Sequence, residues 1–142
     1  NAVEIANLLG IERPKACALA AIEVVNQDMP ETLDAALLEK MSKRGQISGV
    51  DIEGPIAMDV ILSKDAGKSK GIESDFSEDT DIFLMPDIAS GNICVKALIY
   101  LAGAKVGGLI MGATVPIILL SRSDTKEQKL ASISLASALG ID

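Results

Sequence analysis

The feature that most constrains the fold is a regular alternation of two kinds of apolar pattern. Short aliphatic runs are typical of buried strands, whereas longer segments with apolar residues three or four apart are typical of helices. In chain order the patterns predict helix, strand, helix, strand, helix, strand, helix, paired strands and helix. This alternation predicts an α/β fold, a three-layer sandwich whose mainly parallel or mixed sheet carries helices on both faces.

The individual elements follow from local patterns. Strands are predicted at 16–22, 48–53, 81–87 and, as a bent and buried pair, within 106–120. Helices are predicted at the start of the chain, at 31–43, at 56–62, at about 93–101 and after Asp124. Gly54-Pro55 predicts a turn. Residues 63–77 are rich in Lys, Gly and Ser and are typical of a loop or a loosely held helix.

Composition excludes several classes of function. Of the 142 residues 49% are hydrophobic but only 2% aromatic, which predicts one domain with an aliphatic core and argues against base stacking. A net charge of −7 argues against nucleic acid and anionic membranes as partners. The chain has no histidine, so Ser-His-Asp and Cys-His catalysis and histidine-ligated metals are excluded, and no metal site is predicted.

Cysteine usage and the apolar runs bear on localisation. Cys17 and Cys94 lie far apart in the sequence, which predicts two reduced thiols in a cytoplasmic protein. No signal peptide is recognisable, and the apolar residues 106–120 are too few and too broken by glycine to span a bilayer.

The segment 116–124 combines an apolar run with a polar end. Four large aliphatic residues lead into Ser121 and Arg122, and Asp124 is predicted to cap a helix, with Glu127 completing a capping box. Ser121 and Arg122 would thus lie where a strand ends and a helix begins, a common place for anion binding in α/β proteins. A guanidinium suits phosphate or carboxylate, although an exposed arginine ending a strand is an equally good interpretation.

A second segment repeats this arrangement. The predicted strand 81–87 runs into a turn at Ser90-Gly91-Asn92 and then a helix, and Lys96 follows Asn92 by one helical turn. Gly91 would let a ligand approach the backbone, and Asn92 offers both a donor and an acceptor. The alternative is a capped helix with an exposed lysine.

Two weaker candidates also carry charge. Glu53 and Asp59 are carboxylates near a strand end, but their spacing is not diagnostic of acid–base catalysis and favours structural or surface roles. The lysines of the segment 63–77 are candidates for steering a polyanion or, equally, for ordinary solvated charge. These lysines are Lys64, Lys68 and Lys70.

Several short motifs follow one another in a characteristic order. They are Gly54-Pro55, Ser69-Lys70-Gly71, the run from Asp79 to Ile88, Ser90-Gly91-Asn92-Ile93 with Lys96, Gly112, and Pro116 to Ser121-Arg122. This combination resembles the phosphate acyltransferases, a family that contains phosphate acetyltransferase and phosphate butyryltransferase and exchanges an acyl group between coenzyme A and phosphate. Further motifs look like the butyryl branch, namely Asn26 with Met29-Pro30, Arg44-Gly45-Gln46, and Lys96 to Lys105 including Tyr100.

The resemblance implies specific roles. Ser121 and Arg122 would be catalytic residues that bind the acyl phosphate and stabilise its developing charge. Substrate binding is expected of Gly91, Asn92, Lys96 and Gly112. Coenzyme A would be a substrate, with no tightly bound cofactor. Acetyl-branch enzymes carry an aspartate, proposed to deprotonate the thiol, where this chain has Gln128, so the base is not assigned.

The resemblance also implies an architecture. Residues 1–142 would form a single α/β domain with a fold like that of isocitrate and isopropylmalate dehydrogenases. Family members are about twice as long, so the chain would be the second of two domains, inactive alone because the first is absent. A homodimer is expected. Two alternatives stay open, an acetyl-specific transferase and a non-catalytic anion-binding or dimerisation domain.

Overall fold

The computed structural model describes residues 1–139, which form six helices and three strands. The helices are α1 (Ala2–Leu8), α2 (Pro30–Lys43), α3 (Met58–Leu62), α4 (Lys64–Lys70), α5 (Ile88–Ala102) and α6 (Lys126–Leu139). The strands are β1 (Lys15–Leu19), β2 (Asp51–Ile56) and β3 (Ile82–Leu84). The predicted alternation of strands and helices is therefore confirmed from α1 to α5, and α6 is also confirmed.

The three strands form one parallel sheet in the order β2-β1-β3. In the central strand β1, Ala16 lies opposite Ile52 of β2 and Ile82 of β3. Because all the strands run the same way, their carboxyl ends lie at one edge of the sheet. The chain moves from β1 to β2 on one side and then returns past β1 to β3, so the direction of winding reverses at β1.

Alternate residues of β1 face different helices. Cys17 and Leu19 pack with Ile56 and with Val60 and Ile61 of α3 in the hydrophobic core. Helix α2 packs on β1 and β2, and its Ala35 is 2% exposed. The core is built from small and medium aliphatic side chains, as the low aromatic content predicts.

The prediction of a turn at Gly54-Pro55 is wrong, since both residues lie inside β2. β2 is an edge strand of the described sheet, where a proline without an N–H is tolerated. A Cβ at Gly54 would lie 2.7 Å from the carbonyl oxygen of Ala18 and 3.2 Å from Cβ of Ala35. Glycine is therefore required for the close approach of β2 to β1 and α2.

The lysine-rich segment, expected to be a loop or a loosely held helix, contains both: α4 is followed by a loop after Gly71. Ser63 Oγ accepts a hydrogen bond from the backbone N–H of Ala66 at 3.3 Å, and Gly71 ends α4 in the left-handed conformation. The loop that follows is tied to α3, because Ser77 Oγ donates to the carbonyl oxygen of Val60 at 2.8 Å.

The prediction of two buried strands within 106–120 is wrong. An isolated antiparallel bridge joins Ile110 to Ile117, and Leu119 is 77% exposed. The physical reason is that a strand buried on both faces needs a neighbouring strand and two covering layers. Among the residues described, the segment contacts α6, where Ser132 Oγ accepts a hydrogen bond from the N–H of Gly108 at 3.0 Å, but no neighbouring strand or covering layers enclose it.

Helix α5 begins at Ile88, earlier than predicted, so Ser90, Gly91 and Asn92 lie within its first turns and not in a preceding turn. In the described part of the chain none of its residues is buried, and it makes only sparse contacts with the other helices and strands. No helix between residues 1 and 139 combines the length and apolarity needed to cross a membrane.

Candidate active site

Ser121 and Arg122 lie in a tight turn that precedes α6. The N–H of Ser121 donates to Oδ2 of Asp124 at 2.7 Å, and the N–H of Asp124 donates to the carbonyl oxygen of Ser121 at 3.1 Å. The Ser121 hydroxyl also lies 3.0 Å from Oγ of Ser123. The turn therefore fixes the Ser121 hydroxyl and places Arg122 at its exposed corner.

The predicted capping box of Asp124 and Glu127 is wrong by one residue. Thr125 Oγ1 accepts a hydrogen bond from the N–H of Gln128 at 3.3 Å, and Oε1 of Gln128 accepts one from the N–H of Thr125 at 2.8 Å. This is a capping box in which Thr125 is the N-cap. Asp124 does not cap the helix, because its carboxylate already accepts the N–H of Ser121.

The capping of α6 changes the predicted mode of anion binding. The pKa of Glu127 is lowered, first by its own backbone N–H and then by the Thr125 hydroxyl. Side chains of the first turn thus satisfy part of the helix N-terminus and add a negative charge there. An anion in this region would depend on Arg122 and on the Ser121 hydroxyl more than on the helix dipole.

The Arg122 guanidinium is exposed, and it has no salt bridge with any residue from 1 to 139. Arg13 provides the contrast, since its Nε and Nη2 contact the carboxylate of Asp51 at 2.8 and 2.6 Å. That hydrogen-bonded pair raises the pKa of Arg13 and lowers that of Asp51. With respect to residues 1–139, both donor edges of Arg122 are consequently available for an oxyanion.

The second predicted segment lies at the start of α5. Asp87 and Ser90 form a capping box, in which Oδ1 of Asp87 accepts the N–H of Ser90 at 2.8 Å. That backbone N–H is the main cause of the lowered pKa of Asp87. A Cβ at Gly91 would lie 3.4 Å from Cγ of Met85, so α5 contacts the end of the β3 region at this residue. Asn92 is exposed and Lys96, one turn later, is half-buried.

The predicted site residues lie on three segments of the chain. Gly112 has φ of +99° and lines a cavity of about 300 Å³ with Glu4 of α1 and Leu139 of α6. None of the hydrogen bonds between described residues connects Gly91, Asn92 or Lys96 with Ser121 or Arg122.

Sequence reasoning named Asp59 and Lys70 separately but missed Glu23 and the charged cluster that these three residues form at the carboxyl end of β1 and β2. Lys70 Nζ lies 2.8 Å from Oε1 of Glu23 and 2.9 Å from Oδ1 of Asp59. Both hydrogen bonds raise the pKa of Lys70, and the bond to Glu23 has the larger effect. In turn, the hydrogen bond from Lys70 lowers the pKa of Asp59. Glu23 follows β1 by a few residues, and a charged side chain just after a buried strand is the signal that indicates it.

Glu53 lines a cleft of about 790 Å³ together with Glu23 and Lys70 of this cluster. Burial raises the pKa of Glu53, and the hydrogen bond from the Ser74 hydroxyl at 2.6 Å opposes this effect. The other lysines of the segment 63–77 are also near carboxylates, with Lys64 3.7 Å from Glu78 and Lys68 3.6 Å from Asp65. Since each lysine has a carboxylate neighbour, paired surface charge explains them better than a site for a polyanion.

Comparison with known proteins identifies the family. The model of the family described as phosphate acetyl/butaryl transferase matches residues 1–137. The chain belongs to this family. The predicted resemblance to the phosphate acyltransferases is thereby confirmed.

Individual family members match at similar levels. The chain is 47% identical over 137 residues to the phosphate butyryltransferase of Clostridium acetobutylicum. This alignment covers 96% of this chain and 46% of that protein. It is also 47% identical over 137 residues to the phosphate acetyltransferase of Thermotoga maritima, with 96% and 47% covered. Identity therefore does not separate the butyryl and acetyl branches, and the chain spans about half the length of these relatives.

Solved structures of the family share the fold. A branched-chain phosphotransacylase from Enterococcus faecalis V583 superposes with a TM-score of 0.84 at 35% identity, covering 97% of this chain and 49% of that one. The EutD phosphotransacetylase from Staphylococcus aureus gives a TM-score of 0.72 at 22% identity, covering 96% and 43%, which is a likeness of fold.

Proposed function

We propose that the chain is the acyl-phosphate-binding domain of a phosphate acyltransferase, which interconverts acyl-CoA plus phosphate with acyl phosphate plus coenzyme A. One observation carries the proposal. The chain matches the family over residues 1–137. In it, the Arg122 guanidinium lies next to the fixed hydroxyl of Ser121 and forms no salt bridge with any described residue.

The chemistry requires charge stabilisation more than a covalent nucleophile. In the direction of acyl-CoA formation, the coenzyme A thiolate attacks the carbonyl carbon of the acyl phosphate, the C–S bond forms, the C–O bond to phosphate breaks, and phosphate leaves. Negative charge develops on the carbonyl oxygen and on the leaving phosphate. Arg122 and the Ser121 hydroxyl would donate hydrogen bonds to these oxygens, which is the role of an oxyanion site.

The remaining site residues are proposed as substrate contacts. Asn92 and Lys96 lie one turn apart on α5 and would bind the phosphate groups of coenzyme A or the acyl phosphate, with Gly91 and Gly112 allowing close backbone approach. Gln128 would not serve as the thiol base, because an amide accepts no proton at neutral pH and this one is engaged in the capping box with Thr125.

The whole protein is proposed to have two domains, of which this chain is the second. Its length, about half that of the relatives, supports this division. The apolar segment 106–120 and α5 would then complete a three-layer fold like that of isocitrate and isopropylmalate dehydrogenases and contribute to a homodimer. The protein is also proposed to act in the reducing cytoplasm, and its two free cysteines support this.

The test is to replace Arg122 by alanine and measure acyl-phosphate-dependent loss of the coenzyme A thiol. The chain is combined with the half of the Clostridium acetobutylicum phosphate butyryltransferase that it does not match. Loss of one oxyanion donor should lower the rate by about 10²–10³. Arg44→Ala is the matched control, since Arg44 is also exposed but ends α2, and it should leave the rate unchanged.

The outcomes separate the alternatives. A wild-type rate in the Arg122→Ala protein would remove Arg122 from the mechanism. Calorimetric binding of phosphate and coenzyme A without turnover in the recombined protein would favour the non-catalytic binding domain. The equal identities to butyryl and acetyl relatives keep an acetyl-specific transferase as the second candidate, and relative rates with the two acyl phosphates decide between them.

A further inference from the structure

A cavity of about 230 Å³ opens at the carboxyl edge of the sheet, between β1, β3 and α2. It lies where the winding of the sheet reverses, because β2 and β3 are on opposite sides of β1. In open parallel sheets this reversal leaves a crevice outside the carboxyl ends of the strands, and ligands bind there. The cavity is therefore in the place where an α/β domain of this topology is expected to hold part of its substrate.

The lining is aliphatic. Ala18, Leu19 and Ala35 are buried and form the floor, while Leu38, Leu84 and Met85 contribute partly exposed side chains. The charged groups on the cavity are two carboxylates of α2, Glu31 and Asp34. A phosphate or another anion would be repelled from such a cavity, whereas a neutral hydrocarbon group would be accepted.

The residues around the cavity indicate how a bound substrate would be oriented. Met85, which lines the cavity, also contacts Gly91 of α5, the helix that carries Asn92 and Lys96. A substrate with a neutral end and an anionic end would therefore place its neutral end in the cavity and direct its charged end toward α5.

We propose that this cavity binds the acyl chain of the substrate and that Leu38 and Leu84 determine the acyl length. The proposal rests on the proposed transferase function. The volume fits a short chain, because four carbons require roughly 120 Å³ if each occupies about the volume of one water molecule in the liquid. An acetyl group would leave most of the cavity empty. A four-carbon chain would fill about half of it.

The test measures binding of coenzyme A, acetyl-CoA and butyryl-CoA by calorimetry to the recombined protein, in which this chain is combined with the unmatched half of the Clostridium acetobutylicum phosphate butyryltransferase. These ligands share the coenzyme A moiety, so the ratio of their affinities isolates the acyl chain. Burial of two further methylenes predicts that butyryl-CoA binds roughly tenfold more tightly than acetyl-CoA. Leu38→Trp fills the cavity and should reduce this preference to about one, without changing the affinity for coenzyme A itself.

Leu37→Trp is the matched control, since Leu37 is the neighbouring residue of α2, is 61% exposed and does not line the cavity. It should retain the tenfold preference. Leu84→Ala opens the cavity instead of filling it, and should lower the preference by severalfold with less risk to folding. Circular dichroism and thermal unfolding confirm that each variant is folded.

The two possible failures are distinguishable. An unchanged butyryl-to-acetyl ratio in both folded Leu38→Trp and Leu84→Ala proteins overturns the acyl cavity while leaving the transferase assignment intact. An equal loss of affinity for all three ligands in Leu38→Trp would show that the cavity holds coenzyme A and not the acyl chain. Absence of any coenzyme A binding by the recombined wild-type protein would contradict the proposed function, and with it the cavity's role.

Discussion

Replacement of Gly54 by alanine tests the packing of the sheet most directly. The added Cβ would lie 2.7 Å from the carbonyl oxygen of Ala18 and 2.9 Å from its Cβ. On the other side it would lie 3.2 Å from Cβ of Ala35 in α2. Neither neighbour is the end of a flexible side chain, so relief requires the edge strand to move away from β1 or from α2.

Two opposing effects determine how much Gly54→Ala changes the free energy of unfolding. Overpacking of a close-packed core costs about 1–3 kcal/mol, and displacement of backbone atoms belongs at the upper end of that range. Loss of glycine's freedom in the unfolded chain offsets this by about 0.4–1 kcal/mol. We expect the free energy of unfolding to fall by roughly 2 kcal/mol, which corresponds to a Tm lowered by roughly 6–8 °C for a chain of this size.

Urea unfolding followed by circular dichroism measures this change. The matched control is Gly108→Ala, because a Cβ at Gly108 would meet no atom within 4 Å. That variant should be unchanged or slightly more stable. If Gly54→Ala were as stable as Gly108→Ala, the close approach of β2 to β1 would be absent from the folded protein, and the packing argument would be refuted.

Two further predictions concern titratable groups. Burial raises the pKa of Cys17 to about 11, so native protein at pH 8 should alkylate Cys17 at roughly a thousandth of the rate expected for a full thiolate, and mass spectrometry should find it modified only after unfolding. Fast modification of Cys17 in folded protein would contradict its burial. Burial also raises the pKa of Glu53, so the folded state binds more protons there than the unfolded state, and stability should fall as pH rises through the raised pKa. Glu53→Gln, which can still accept the Ser74 hydroxyl, should flatten this pH dependence, and a pH profile with the wild-type slope would show that Glu53 is not its source.

Local patterns predicted the elements that bury their own apolar residues. β1 overlaps the predicted strand 16–22 at residues 16–19, because a run of small apolar residues is well suited to a central strand. Helix α2 matches its prediction to within a residue, since Pro30 at its first position and Gly45 after its end are strong local signals.

The candidate site was predicted less completely. The sequence indicated Ser121 and Arg122, and the structure shows why they are accessible. The sequence could not distinguish Asp124 from Thr125 as the helix cap. Both are good capping residues, and the choice depended on whether Asp124 was already engaged by the N–H of Ser121. The acyl cavity was also beyond prediction, because its lining residues come from β1, α2 and the β3 region, which are distant in sequence.

The sequence by itself determined the α/β class, the parallel central sheet, the aliphatic core and the family, because these depend on periodicity, composition and motif order. Only the tertiary structure decided which apolar runs become buried strands. The segment 106–120 has the composition of a core strand, yet Leu119 is exposed, because burial requires neighbouring layers that the described chain does not place there. Tertiary packing likewise placed Gly54-Pro55 inside a strand, since the close contact with Ala18 and Ala35 is a property of three elements together and not of the local sequence.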